Sequence, residues 1–209
     1  MKAMQLRRLS RIAADLFIFL LGLGFALLQE WQIRELIWGL WLSSLLVGYT
    51  TILVAMGGFL LGKAKLPPKI PVPRTATGRG LIALGLLAFF SMHFGIFHLV
   101  HAIFVHQFFP LTADQGWLQV PAYMAGLLPF VGMMALGERD NLKKALGEFE
   151  FGGAYANVVR MHLLIFFFAF ADHVGLQAHV VFAVIYIVYF APFTRASSRD
   201  EKSSSETPS

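Results

Sequence analysis

Long apolar runs separated by short polar segments dominate the chain. A helix needs roughly 20 mainly apolar residues to cross a bilayer, because the hydrocarbon core is ~30 Å thick and the helix rises 1.5 Å per residue. Six runs reach or approach that length, at residues 12–29, 36–61, 81–104, 120–136, 158–171 and 178–193. The fourth is interrupted by Pro121, Pro129 and several glycines, and the fifth is short but dense in phenylalanine (Phe166, Phe167, Phe168, Phe170). The pattern predicts an all-α fold, a polytopic membrane helix bundle of about six transmembrane helices. A five-span arrangement, with the fourth or fifth run re-entrant, is the alternative. The first run follows Lys2, Arg7, Arg8 and Arg11 as a signal peptide would, but it is too long for an h-region and no small-x-small site ends it. It is expected to be an uncleaved first helix.

The polar segments orient the bundle. Basic residues fall before run one (Lys2, Arg7, Arg8, Arg11), after run two (Lys63, Lys65, Lys69, Arg74, Arg79), after run four (Arg139, Lys143, Lys144, Arg160) and in the tail (Arg195, Arg199, Lys202). With six spans, all four segments share one side and only Arg34 lies on the other. The positive-inside rule then puts both termini in the cytoplasm of a cell whose inner (plasma) membrane holds the protein. Trp31, Trp38, Trp41 and Trp117 all map near the outer boundary, where an interfacial belt of indoles is expected.

Between runs two and three, Pro67, Pro68, Pro71 and Pro73 predict an extended connector. Residues 140–151 place Leu142, Leu146 and Phe149 at helical spacing opposite Lys143, Lys144, Glu148 and Glu150. That suits a short helix on the inner membrane surface, capped by Asp140 or Asn141. The tail, 195–209, is serine-rich and charged and is expected to be disordered and cytoplasmic. No internal repeat stands out, so an inverted-repeat transporter is not expected.

Composition narrows the chemistry. The chain is 57% hydrophobic and 14% charged over 209 residues, far below the roughly one-quarter charge of soluble domains. It has no cysteine, which removes disulfides, thiolate ligands and cysteine nucleophiles. A net charge of +5 is explained by its cytoplasmic placement, so the lipid bilayer and no nucleic acid is the expected partner. No run has an interior lysine for a retinal Schiff base, and neither a P-loop nor an H-E-x-x-H motif occurs.

What remains is histidine. All seven lie in or beside runs three, five and six: His93, His98, His101, His106, His162, His173 and His179. His98 and His101 differ by about 60° around a helix, whereas His93 is turned about 80° from His101. In the six-span arrangement His98, His101, Asp172, His173 and His179 share one layer near the outer face, while His162 lies near the inner end. Imidazole and carboxylate donors suit zinc, copper or iron, and two facing histidines suit a b-type haem. The competing reading is that these histidines hydrogen-bond between helices and bind nothing. Ser43, Ser44, Thr50 and Thr51 are expected to bond back to their own helix or across to a neighbour.

The pattern Phe89-Phe90-x-x-His93-Phe94-Gly95-x-Phe97, followed by His101 and Phe104, resembles an uncharacterised prokaryotic family of multi-span membrane proteins, domain of unknown function 6498. Glu35 ahead of Trp41 and Gly48 matches an acidic position before that family's second span. Tyr155 and His162 match a Tyr-x-Arg-x-x-x-x-His element, with Asn157 in place of the arginine and Ala154 in place of a frequent proline. The resemblance implies that His93, His101 and His162 carry the family's chemistry, as cofactor-binding positions. It supplies no reaction. Three functions are therefore expected in competition: a membrane protein binding a transition metal or haem, a structural or accessory membrane subunit (in a homo-oligomer or a larger membrane complex), and a small proton-coupled transporter with His93 in its path.

Overall fold

The computed structural model describes residues 2–64, 75–111 and 119–147, and Val159, Leu163, Leu164, Phe166, Phe167, Phe170, Ala171, Val174 and Gly175 singly. The described residues form helices and no strands: α1 (Lys2–Leu28), α2 (Ile33–Leu60), α3 (Ala76–Phe108), α4 (Val120–Gly126), α5 (Leu128–Gly137) and α6 (Arg139–Gly147). Two of them, α2 and α3, are long and apolar enough to cross a membrane, and α4 with α5 makes a third if the bent pair is one span. In α1 only residues 16–28 form an apolar stretch, shorter than a full crossing. Of the fifth predicted run, Val159, Leu163, Leu164, Phe166, Phe167, Phe170 and Ala171 are helical. The sixth run, the proline connector (65–74) and the tail lie outside the described residues.

The central helix is α2, which packs against α3, α5 and α6, while α1 packs against α5. Small residues make this possible. A Cβ on Gly58 would collide with the carbonyl oxygen of Leu146 in α6, and one on Gly48 would collide with the Phe94 ring of α3. At Gly39 the Phe130 ring of α5 would come within 3.1 Å. Small residues at such crossings let helix backbones approach closely and gain van der Waals contact.

Two buried apolar clusters result. One, at the Gln32 end of α2, joins Ala26, Leu36, Ile37, Trp38 and Leu40 to Val105, Phe109, Leu127, Phe130, Leu164 and Ala171. The other, toward Leu60, joins Ile52, Ala55, Met56 and Phe59 to Ala83, Phe90, Phe94 and Ala145. Between them along both α2 and α3 lies a polar layer of Ser43, Ser44, His98 and His101, the buried polar side chains among the described residues.

Helix ends follow local chemistry. At the end of α1, Trp31 N donates to Ala26 O (2.9 Å) and Glu30 N to Leu27 O (3.1 Å). At the end of α2, Lys63 N donates to Gly58 O (2.8 Å) and Gly62 N to Phe59 O (3.0 Å). Both are Schellman closures, and both require a left-handed residue: Gly62 at φ 70° and Glu30 at φ 51°. At Glu30 the side chain makes that conformation costly, by about 1 kcal/mol or more.

Several expectations shift. The first helix begins at Lys2, because helix continues through its lysine and arginines, which are good helix formers. The fourth run bends by 43° at Leu127. Pro129 offers no N–H to the carbonyl of Ala125 and its ring crowds that turn. A short helix is present over Arg139–Gly147; it follows Glu138 directly and so starts before the expected Asp140 or Asn141 cap. Leu142 N donates to Glu138 O (3.0 Å), and the Asn141 amide donates to the Glu138 carboxylate. Residues 148–151 of that prediction lie outside the described residues. Trp38 is 2% exposed rather than interfacial. Its indole N–H donates to Phe109 O (2.9 Å), and that of Trp41 to His98 O (3.1 Å), so both face the bundle. Trp117 lies outside the described residues.

Candidate functional site

On α3 the buried positions Phe90, Phe94, His98, His101 and Val105 recur at four- and three-residue steps, so they form one stripe along the face that meets α2. The rings of that stripe touch in series. Phe90 stacks on Phe94 (4.6 Å between centroids), Phe94 lies 4.1 Å from His98, and His98 meets His101 edge-on at 6.4 Å. Tyr49 of α2 closes on Phe90 and Phe94 edge-on, and Trp41 lies 6.2 Å from His98.

His98 is 1% exposed, so both ring nitrogens must be satisfied inside the protein. Its Nδ1 lies 3.0 Å from Phe94 O, an oxygen that can only accept. Nδ1 therefore carries the proton, and Nε2 of the neutral ring accepts from the Ser44 hydroxyl at 3.3 Å. With both nitrogens occupied, the lone pair a metal would need is committed to Ser44. His106 uses the opposite tautomer: its Nδ1 accepts from Leu111 N (3.2 Å) and closes the end of α3.

His101 is buried in the same stripe, edge-on to Phe97 at 4.8 Å. His93 is exposed and stacks on Phe89 at 5.9 Å, consistent with its turn away from His101. His162, Asp172, His173 and His179 lie outside the described residues. Among the described residues, no group of three or more histidine, aspartate or glutamate side chains is placed to hold a metal ion. The structure thus brings His98 and His101 together, as their spacing predicts, and puts His93 on another face.

The hydroxyls divide. Thr50 and Thr51 bond back to Leu46 O (2.7 Å) and Val47 O (2.8 Å), while Ser44 crosses to His98. Ser43 Oγ is buried without a hydrogen-bond partner among the described residues.

A second polar site sits at the start of α2. Glu35 Oε2 accepts from Gln32 N (3.0 Å), and Oε1 accepts from Arg34 Nε (3.0 Å) and from the Tyr123 hydroxyl of α4 (3.4 Å). The sequence marks Glu35 through the family resemblance, but nothing in the spacing of Tyr123 announces it as the partner.

An all-helical protein with helices of membrane-crossing length, built around a histidine–serine contact, is the class these observations define. The chain belongs to the family of unknown function DUF6498, which it matches over residues 2–191. No curated protein and no solved structure matches it significantly.

Proposed function

We propose that this protein is an integral membrane helix bundle with both termini in the cytoplasm, serving as a structural or accessory subunit whose α3 histidines hold helices together. The observation that carries this reading is His98, buried and spent at both nitrogens on Phe94 and Ser44. A histidine so engaged supplies a cross-helix fastener in lipid, where each such bond is worth about 0.6 kcal/mol on average. The test is to purify the protein and its His98→Gln and His98→Leu variants under mild extraction, then compare metal content, visible absorption and thermal stability. The expected result is a lower Tm for His98→Leu and no stoichiometric metal or Soret band in any of them. A bound metal or haem that disappears with His98→Gln would overturn the reading.

A second reading keeps a metal or haem at His101 with donors from runs five and six. It is favoured by Ala171, which is fully buried in the same cluster as Val105, one turn beyond His101. Asp172 and His173 follow Ala171 directly in sequence. Elemental analysis of wild type and His101→Gln separates the two. Topology itself is testable with single cysteines placed at Ser10 and in the 195–209 tail, since the chain has none of its own. Both should react only with reagent on the cytoplasmic side.

A further inference from the structure

The broken helix has two unequal halves. α5 buries Phe130 and Val131 and sets Phe130 against Gly39 of α2, whereas α4 buries no residue fully. Among the described residues, α4 rests on the first apolar cluster through half-buried Tyr123 and Met124. Its side-chain hydrogen bonding to the rest of the protein is carried, among the same residues, by Tyr123: the hydroxyl donates to Glu35 Oε1 at 3.4 Å, a long contact, and also interacts with the Arg34 side chain. Between the halves stand Gly126, Leu127 and Pro129. Pro129 interrupts the backbone ladder, and a Cβ at Gly126 would meet nothing within 4 Å. Close packing therefore does not demand glycine there; freedom of the backbone is what it supplies.

We infer that α4 is a hinged lid over the Gln32 end of the bundle, pivoting at Gly126–Pro129 and latched shut by Tyr123 on Glu35. Glu35 is suited to the latch because Gln32 N and Arg34 Nε already hold its carboxylate in place, so Tyr123 docks on a preset acceptor. α5 stays anchored by Phe130 while α4 moves, and opening uncovers the cluster formed by Leu36, Ile37, Trp38 and Leu127. The lid works the same way whatever the histidines bind.

The absence of native cysteine makes the test direct. Single cysteines are placed at Met124 on α4 and at Met134 on α5, both half-buried against the same cluster. Their labelling rates by a small maleimide are measured in the otherwise wild-type chain, then with Tyr123→Phe, Glu35→Gln or Gly126→Ala added. Tyr123→Phe should speed labelling at position 124 several-fold and leave position 134 unchanged. Gly126→Ala, which stiffens the pivot, should slow labelling at 124. Glu35→Gln also weakens the start of α2, so Tyr123→Phe is the deciding variant should the former not fold. Equal rates at 124 with and without the Tyr123 hydroxyl would overturn the lid, as would parallel acceleration at both positions.

Discussion

α2 and α3 are similar as strings of apolar residues, yet they occupy the bundle differently. Half of the most apolar 18-residue stretch of α2 is buried inside the protein, against 17% of that of α3. α2 turns Gly39, Ser44, Gly48 and Gly58 toward three different neighbours. α3 offers one aromatic and histidine stripe, and leaves Leu81, Leu84, Met92, Ile96, Leu99, Val100 and Ile103 exposed. The difference teaches that apolarity alone does not decide which sides of a helix meet protein; small and hydrogen-bonding residues do.

The contrast can be broken most severely at Gly58. Gly58→Ala drives a methyl into the backbone of Leu146, which has no rotamer to escape through, and should cost about 3 kcal/mol. Thermal unfolding in detergent should show the loss, with α6 released. Gly48→Ala presses on a side chain instead, but Phe94 is held between Phe90 and His98, so a cost of about 2 kcal/mol is expected. Chemical denaturation of the same preparation measures it. A double-mutant cycle with Ser44→Ala and His98→Leu should return a coupling of about 0.6–1.7 kcal/mol; zero coupling would mean that the serine and histidine merely coexist. Smallest of all is Leu99→Ile on the exposed side of α3, where the change in Tm should correspond to less than about 0.5 kcal/mol. A large effect there would show that further protein covers that side.

The helical class and both long apolar helices were readable from apolar length, and the break in the fourth run from Pro129, which removes a donor wherever it sits in a helix. His98 and His101 share a face because three residues turn a helix by about 300°, which sequence spacing already contains. What spacing cannot contain is the partner across the seam. Ser44 lies 54 residues from His98 and Tyr123 lies 88 from Glu35, so these contacts exist only once helices are packed. Trp38 and Trp41 misled for the same reason. Their place near the end of an apolar run fits a membrane belt equally well, until α3 and the Phe109 that caps it supply carbonyls for Trp41 and Trp38.

Those two indoles turn the α2–α3 seam into an optical reporter. An indole enclosed by apolar side chains and held by a carbonyl emits at shorter wavelength than one wetted by solvent. With Trp31 and Trp117 replaced by phenylalanine, and with excitation at the red edge where tyrosine does not absorb, the remaining emission would come from Trp38 and Trp41. A red shift would then register the parting of two helices without any dye, metal or substrate being added.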